Sequence, residues 1–225
     1  MKYKTCGEET NISGMSFYNC DNIKLLKETP DNYYSLCIVD PPFGTGKSIM
    51  NITATPKERK NKRIKKREEK DWDVAPTKEY FDELFRVSQN QIIWGANYYD
   101  HLKGSRGWIF WDKKYENTFN FSAGELAYTS FDKPLKKVNV SNRKMPYMSF
   151  DNIHPTQKPV ALYKWLLKNY AKEGDKILDT HMGSGSIAIA CHYMGFDLTA
   201  CELDKEYFDA GIERVENQTR QNTLL

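Results

Sequence analysis

The sequence predicts an α/β fold in which helices cover both faces of a mainly parallel sheet. Short apolar runs alternate with helical segments along most of the chain, which is the pattern of such folds. The run SLCIV (35–39) is apolar throughout, as expected of a strand buried on both faces. With 225 residues, 40% of them hydrophobic and 28% charged, the chain has the size and composition of one globular domain spanning 1–225.

The predicted elements alternate in order along the chain. The predicted strands cover 16–20, 35–39, 91–94, 108–111, 125–129, 176–180 and 197–201. The predicted helices cover 23–28, a segment capped by Thr77 that runs to about 88, a segment that opens at Pro159 with Gly174 as its stop, 187–194, and a last amphipathic helix around 208–215. The stretch 131–153 has no clear period, is basic, and is predicted to be irregular.

Cysteine usage and hydropathy limit the class of protein. The five cysteines are odd in number and none forms a C-x-x-C pair, which argues against a disulfide framework and a zinc site. We therefore expect reduced thiols and no metal, with Cys37 and Cys201 as small buried apolar residues. No apolar run approaches the ~20 residues that span a bilayer, and the first residues lack a secretory signal, so a cytoplasmic location is expected.

The positive charge of the chain is concentrated in one segment. The net charge is +3, but the stretch 57–70 (KERKNKRIKKREEK) holds nine Lys/Arg against three Glu. It lies between structured elements, so 44–71 is predicted to be a flexible basic insertion. Such a block is either a solvated loop or an arm for nucleic-acid phosphates. The residues expected to contact phosphate are Lys60, Lys62, Arg63, Lys65, Lys66 and Arg67.

A glycine-rich turn after the predicted strand 176–180 resembles a nucleoside-type cofactor site. Gly183 and Gly185 let a ligand approach the backbone, and Glu202 lies 17 residues after Gly185, at the end of the next strand. A carboxylate there can accept hydrogen bonds from ribose hydroxyls. The turn lacks the third glycine of the full motif, because that position is Ala188. A tight βα connection is the alternative interpretation.

The sequence D-P-P-F (40–43) follows the buried strand 35–39, where open parallel sheets place their ligands. An Asp carboxylate and a prolyl carbonyl provide two acceptors for one amino group, and the aromatic ring offers a face for a planar base. The alternative is a stiff turn that merely ends the strand. Pro41 also stands where a P-loop ending at 46–48 would need glycine, which argues against a nucleotide-phosphate cradle.

Three motifs carry a family resemblance. D-P-P-F (40–43), HPTQKP (154–159) and LDTHMGSGS (178–186), in this order, resemble the S-adenosylmethionine-dependent amino-methyltransferases of DNA, the N6-adenine/N4-cytosine family. The order resembles the circularly permuted β group, including its phage and prophage members, and QIIWGANYY and RGWIFWDK are similar to the middle motifs. The resemblance implies a Rossmann-like methyltransferase fold, S-adenosyl-L-methionine as cofactor and base flipping.

The resemblance also implies roles for individual residues. The amino-group site would consist of Asp40, Pro41, Pro42 and Phe43. The cofactor site would consist of Asp21, Asp179, Gly183, Gly185, Glu202, His154, Thr156 and Lys158. Asp21 could equally be a helix cap, and Asn97 and Tyr98 could either line the base pocket or belong to the core. Thr180 and His181 depart from the Pro-Phe pair that is usual in the family, so contacts there are not implied.

The segment 131–153 occupies the position of a short target-recognition segment in the family. Its candidate DNA contacts are Lys136, Lys137 and Arg143, and a plain solvated loop is the alternative. The expected partner is double-stranded DNA, and the resemblance leaves a homodimer open. The expected setting is a bacterial or phage-infected cell.

Together these features predict a DNA adenine-N6 methyltransferase. D-P-P-F favours adenine because cytosine-N4 members of the family more often begin that motif with Ser. The alternatives are cytosine-N4 methylation, an RNA substrate, or a catalytically silent DNA-binding module that keeps the fold.

Overall fold

The computed structural model describes residues 2–44, 73–102, 104–114, 122–140, 153 and 157–220. The basic stretch 57–70 and the first half of HPTQKP (154–156) lie outside these residues. None of the helices in the described ranges combines the length and apolar content that a bilayer crossing requires.

Within the described ranges, nine strands form one sheet and five α-helices pack on it. The strands are β1 (Thr10–Ile12), β2 (Met15–Asn19), β3 (Tyr34–Val39), β4 (Ser88–Trp94), β5 (Trp108–Asp112), β6 (Gly124–Thr129), β7 (Lys136–Val138), β8 (Lys176–Asp179) and β9 (Asp197–Glu202). The helices are α1 (Asn22–Glu28), α2 (Lys78–Val87), α3 (Val160–Tyr170), α4 (Ser186–Met194) and α5 (Lys205–Thr219).

The strand order across the sheet is β1-β2-β9-β8-β3-β4-β6-β5-β7. The five central strands, β2, β9, β8, β3 and β4, are mutually parallel, while β1 and β6 run antiparallel to their neighbours. The chain proceeds from β8 outward in one direction and from β3 outward in the other. The boundary between β8 and β3 is therefore the topological switch point, where sheets of this kind form a ligand crevice.

Apolar side chains alternate between the two faces of the central strands. Leu36 and Ile38 of β3 join a cluster that α3, α4 and α5 cover, whereas Cys37 and Val39 join a second cluster under α1 and α2. Both faces of β3 are thus buried, which explains why its sequence is apolar throughout and does not alternate between apolar and polar residues. The predicted α/β class and the mainly parallel sheet are confirmed.

Three details differ from the sequence expectations. Part of the stretch predicted to be irregular forms β7, because Lys136–Val138 pairs in parallel with β5 and buries Val138. The three-residue strand β1 was too short to be indicated by its pattern. Helix α3 ends at Tyr170 rather than near Gly174, because Ala171 adopts extended backbone.

The expectation of reduced thiols throughout is wrong for one pair of cysteines. Cys6 and Cys20 form a disulfide across 14 positions, with their Cα atoms 5.0 Å apart. Distance in the fold decides such pairing, and sequence spacing alone does not reveal it. Cys37, Cys191 and Cys201 are free and buried, as predicted for Cys37 and Cys201.

Candidate functional site

Three carboxylates lie at the carboxyl ends of adjacent central strands. Asp40 follows β3, Asp179 ends β8, and Glu202 ends β9. The strands β3, β8 and β9 are neighbours in parallel register, so these ends meet at one edge of the sheet. The sequence-predicted catalytic and cofactor residues on these strands are therefore brought together at the switch point.

The glycine turn (179–186) connects β8 to α4 through a backbone that requires glycine. Gly185 has a φ of +70°, and a Cβ there would lie 2.6 Å from Cγ2 of Val215. Helix α4 begins at the next residue, Ser186, so its first backbone N–H groups face the turn. Glycine at position 185 therefore lets α5 pack closely against the turn.

Glu202 faces the glycine turn from the neighbouring strand. Its Oε2 accepts a hydrogen bond from the Gly183 N–H at 3.0 Å, and its Oε1 accepts one from the Asp204 N–H at 3.0 Å. Burial raises the pKa of Glu202, against these two donors. Each carboxylate oxygen keeps a second lone pair that a ribose hydroxyl can use. The next side chain, Leu203, is apolar yet 69% exposed, a feature that sequence reasoning missed.

Asp179 is a buried carboxyl whose Oδ1 accepts a hydrogen bond from the His181 N–H at 2.9 Å. Burial raises its pKa to about 8, with further raising from the charges of Asp40 and Glu202. A buried acid of this kind favours a cationic ligand, which would stabilise its ionised form. The glycine turn, the Glu202 carboxylate and Asp179 together fit a nucleoside cofactor that carries positive charge.

Thr180 and His181, the two departures from the family pattern, belong to a chain of polar contacts. The Thr180 hydroxyl lies 2.7 Å from the Tyr80 hydroxyl and 3.0 Å from Nδ1 of His181. Nε2 of His181 lies 3.1 Å from Nδ2 of Asn22, at the start of α1. Burial lowers the pKa of His181 to about 3, so its ring is neutral. These contacts tie the glycine turn to α1 and α2.

Asp21 lies at the N-terminus of α1. Its Oδ1 accepts hydrogen bonds from the backbone N–H groups of Ile23 at 2.9 Å and Lys24 at 3.3 Å. Asp21 is therefore a helix cap, which was the alternative to a cofactor contact. A cofactor contact for Asp21 stays a prediction.

The D-P-P-F turn is held by a residue that sequence reasoning missed. The buried Tyr99 hydroxyl donates to the Pro41 carbonyl at 2.9 Å and approaches the Pro42 carbonyl at 3.2 Å. Burial raises the pKa of Tyr99, so the hydroxyl keeps its proton. Its position in QIIWGANYY, five residues after β4, was the only available signal.

Two stacked aromatic rings, the half-buried Phe43 of the D-P-P-F turn and the exposed Tyr98, form a platform. The Phe43 and Tyr98 rings stack with centroids 4.9 Å apart and an interplanar angle of 15°, and Tyr98 is 47% exposed. Gly95 underlies Phe43: its φ is +67°, and a Cβ there would lie 2.1 Å from Cε1 of the Phe43 ring. Only glycine accommodates both the backbone and the ring at this position.

Lys158 lies between two carboxylates, and its contact with the cofactor stays a prediction. Its Nζ forms an ion pair with Oδ2 of Asp40 and lies 3.0 Å from Oε2 of Glu125. Oε1 of Glu125 in turn lies 2.6 Å from Nζ of Lys113. Four alternating charges thus run from the D-P-P-F turn to the end of β5. Oδ1 of Asp40 is buried and has no hydrogen-bond partner among the described residues.

Asp40, Glu125 and Lys158 titrate as a coupled group, because each charge lies beside an opposite one. Burial raises the pKa of Asp40, and the Lys158 ammonium opposes that effect without cancelling it. Burial acts against ionisation at Glu125 too, but the ammonium groups of Lys158 and Lys113 lower its pKa to about 2. Burial disfavours the Lys158 ammonium, yet the two carboxylates raise its pKa. The Lys158 ammonium and the Glu125 carboxylate are therefore charged.

The predicted DNA contacts are described only in part. Lys60, Lys62, Arg63, Lys65, Lys66, Arg67 and Arg143 lie outside the described residues, as do His154 and Thr156 of the cofactor prediction. Lys136 and Lys137 are exposed on β7, and Lys137 pairs with Asp112 at 2.9 Å. The Gly44 N–H donates to Oδ1 of Asp73 at 2.9 Å, so the two ends of the basic insertion meet beside the D-P-P-F turn. The described ranges contain no cluster of three or more His, Cys, Asp or Glu able to hold a metal ion.

Two type II methyltransferases are similar in sequence to this chain. Type II methyltransferase M.HpaI of Haemophilus parainfluenzae is 26% identical over 243 residues, which cover 88% of this chain and 74% of that protein. Type II methyltransferase M2.DpnII of Streptococcus pneumoniae is 28% identical over 146 residues, 59% of this chain and 53% of that protein.

Two solved structures share the fold. The M1.HpyAVI–SAM complex has a TM-score of 0.56 at 18% identity and covers 88% of this chain and 98% of its own. The cytosine-N4-specific PvuII DNA methyltransferase has a TM-score of 0.60 at 13% identity and covers 96% of this chain and 95% of its own. At these identities the likeness is one of fold, and it confirms the Rossmann-like methyltransferase architecture.

Residues 89–213, more than half of the chain, match the N6_N4_Mtase family model, described as DNA methylase. This range includes the glycine turn, Glu202 and the Tyr98–Tyr99 pair. The cofactor of the family is S-adenosyl-L-methionine, and its substrate is DNA. The chain therefore belongs to the N6/N4 family of S-adenosylmethionine-dependent DNA amino-methyltransferases, as its motif order predicts.

Proposed function

We propose that this protein transfers a methyl group from S-adenosyl-L-methionine to the N6 amino group of an adenine flipped out of double-stranded DNA. The observation that carries the proposal is Oδ1 of Asp40, a buried acceptor without a hydrogen-bond partner among the described residues. Buried polar atoms in folded proteins are almost always paired. This atom stands at the switch point beside the Phe43–Tyr98 platform, so an amino group brought there would satisfy it.

The cofactor would lie over the glycine turn. Glu202 would accept the ribose hydroxyls, and the exposed Leu203 side chain offers an apolar contact for the adenine ring of the cofactor. Asp179 would face the positively charged end of the cofactor, which matches its buried carboxyl. When bound, S-adenosyl-L-methionine supplies an activated methyl group at the edge where Asp40 lies.

The D-P-P-F turn would act on the amino group of the base. An adenine amino nitrogen is a weak nucleophile because its lone pair is delocalised into the ring. Asp40 and the Pro41 carbonyl would each accept one of its hydrogens, and the Pro41 oxygen has a lone pair beyond the one that Tyr99 uses. These acceptors favour a pyramidal nitrogen and stabilise the positive charge that arrives with the methyl group. After the transfer the nitrogen loses one proton to solvent water.

The aromatic platform would hold the flipped base. Extruding a base from the duplex costs about a few kcal/mol. Stacking a base on an aromatic ring recovers about 1–3 kcal/mol, and Tyr98 adds exposed surface next to Phe43. Both rings follow strands β3 and β4 of the rigid sheet, which aligns the base with the methyl group.

Adenine is the base that the motif favours, because D-P-P-F begins with Asp. Cytosine-N4 methylation is the second candidate, since the cytosine-N4-specific PvuII enzyme shares the fold. Both bases present an amino group flanked by a ring nitrogen, so the same acceptors serve either reaction. The nucleoside analysis below decides between them.

The DNA-binding surface would combine two basic segments around the site. The insertion 44–71 starts and ends beside the D-P-P-F turn, where its lysines and arginines would meet phosphates around a flipped base. The segment 131–153 would read sequence, with Lys136 exposed at the sheet edge. One catalytic domain over 1–225 with these two additions is the organisation that we propose. A homodimer, tested by light scattering, and action on DNA in the cytoplasm complete the proposal.

The test is methyl transfer from methyl-labelled S-adenosyl-L-methionine to unmethylated DNA, followed by separation of the nucleosides. Label in N6-methyladenine that disappears in Asp40→Ala supports the proposal. Asp197→Ala is the matched control, because Asp197 is an exposed Asp at the opposite, amino end of β9. It should leave transfer unchanged.

Other outcomes each select an alternative. Label in cytosine keeps the mechanism and replaces the base. Label in RNA but not in DNA changes the substrate class. The proposal is contradicted if the protein binds DNA but labels no nucleic acid and shows no thermal shift when the cofactor is added. That result supports a catalytically silent DNA-binding module.

A further inference from the structure

We propose that Lys158 and Glu125 are positioning residues for methyl transfer, which fix the Asp40 carboxylate and set the electrostatic potential that the amino group of the base meets. This inference rests on the proposed function, in which Asp40 receives that amino group. It gives Lys158 a role other than cofactor binding, and it gives a role to Glu125, which no sequence motif contains.

The geometry places the Lys158 ammonium between two carboxylates. Its Nζ pairs with Oδ2 of Asp40, which leaves Oδ1 as the atom without a partner among the described residues. On its other side, Oε2 of Glu125 lies 3.0 Å away. The pairing therefore selects which oxygen of Asp40 is presented to the base.

The ammonium is almost fully removed from water. The Lys158 side chain is 2% exposed, and its Nζ lies 5.3 Å from the Trp94 ring centroid and 5.9 Å from the Phe43 ring centroid. Burying an ion pair contributes little to stability compared with apolar residues of the same volume. A charged group held at this depth, against a residue of the D-P-P-F turn, is therefore better explained by function than by folding.

The second carboxylate changes the charge of the site. Asp40 with Lys158 alone is a neutral pair, which attracts the developing positive charge on the amino nitrogen only weakly. Glu125 offsets part of the Lys158 charge, and with Lys113 the four groups carry no net charge, so Asp40 remains an effective acceptor while it stays oriented. Lys113 lies 2.6 Å from the far oxygen of Glu125 and holds that carboxylate in place. In a site of low dielectric such fixed charges act strongly.

Two substitutions test the two halves of the proposal. Lys158→Met removes the cation beside Asp40, so the acid limb of the pH–kcat profile moves up by about 1–3 pH units. Glu125→Gln leaves Lys158 to neutralise Asp40, so the acid limb moves down while the plateau of kcat falls about tenfold. Lys158→Arg restores part of the activity and most of the limb position. If Lys158 and Glu125 had a merely structural role, neither substitution would move the acid limb in a defined direction.

A second measurement, which needs no enzyme activity, tests whether the acid limb of the pH–kcat profile belongs to Asp40. The Asp40 carboxyl is titrated by carbon-13 NMR in each protein without DNA, and its resonance is identified by its loss in Asp40→Asn. The other titratable or charged groups that face Asp40 in the described structure are Lys158, Glu125, Lys113, Asp179, Tyr99 and Tyr163. The expected result is a pKa of Asp40 that rises in Lys158→Met and falls in Glu125→Gln.

Matched controls are Lys168→Met on the exposed side of α3 and Glu173→Gln in the loop after it. Neither should move the limb or the titration. Equal losses of kcat at every pH, with an unchanged titration of Asp40, overturn the inference. In that case the proposed function still stands if the wild-type protein transfers the methyl group. If wild type transfers no methyl group, the proposed function fails, and the titration still decides whether these two residues control Asp40. Should Lys158→Met fail to fold, Glu125→Gln, which keeps size and shape, decides alone.

Discussion

Replacing Asp179 with Asn should stabilise the protein without cofactor and make its stability less dependent on pH. The substitution keeps the size of the side chain and an Oδ1 acceptor for the His181 N–H. It removes a carboxyl that is buried at the end of β8 and whose pKa is raised to about 8. The variant thus changes one proton-binding group and little of the packing.

The magnitude follows from proton linkage. An unfolded Asp ionises near its usual value of 3.8, whereas the folded protein keeps this proton up to about pH 8. Between these values the folded state binds one proton more than the unfolded state, so the contribution of Asp179 falls as pH rises, by about 1.4 kcal/mol per pH unit. From pH 5 to pH 7 the stability advantage of the variant should therefore grow by about 2.7 kcal/mol, and it levels off above pH 8.

The assay is urea unfolding at pH 5, 6, 7 and 8, followed by the fluorescence of the five tryptophans. Only the difference between wild type and variant is used, because other carboxyls titrate in both proteins. Asp197→Asn, an exposed Asp at the start of β9, is the control and should show no pH-dependent difference. A difference for Asp179→Asn that stays constant from pH 5 to pH 7 would falsify the assignment of a raised pKa to Asp179. The same variant should bind S-adenosyl-L-methionine more weakly.

Three further changes probe the platform, the turn and the insertion. Gly95→Ala forces a side chain into a left-handed backbone and onto the Phe43 ring; methyl transfer should fall at least about tenfold while cofactor binding, read by thermal shift, changes little. Tyr99→Phe removes the hydroxyl that holds two prolyl carbonyls; the free energy of unfolding should drop by about 1 kcal/mol in urea titrations, and an unchanged value would mean that the turn is held by other contacts. If six basic residues of 57–70 contact phosphates, neutralising them with Gln should make the slope of log affinity against log salt shallower by about 5 in fluorescence anisotropy; an unchanged slope places the phosphate contacts elsewhere.

The sequence was sufficient for the central strands and the helices that flank them. The apolar run 35–39 and the helix caps at Thr77 and Asp21 depend on local chemistry, which a single sequence displays. The edge strands β1 and β7 were not predicted, because each has three residues and depends on a partner strand for its hydrogen bonds. Length and pairing, rather than composition, decide such strands.

The candidate site was only partly visible for a related reason. Asp40, Asp179 and Glu202 could be named because they follow strands inside recognisable motifs. The partners that act on Asp40 could not: Glu125 lies on an antiparallel strand without a motif, and it reaches Lys158 only through the sheet order. The Cys6–Cys20 disulfide is a similar case, since its Cα atoms approach only in the fold.

The hydrogen bond between Gly44 and Asp73 joins the two ends of the insertion. This contact brings the residues on either side of the segment together, and the entropy of closing a loop grows only slowly with its length. The segment can therefore be lengthened, shortened or exchanged without a strain that reaches the sheet. If the insertion contacts DNA as proposed, a different DNA-contacting peptide can be grafted between these two residues without disturbing the sheet.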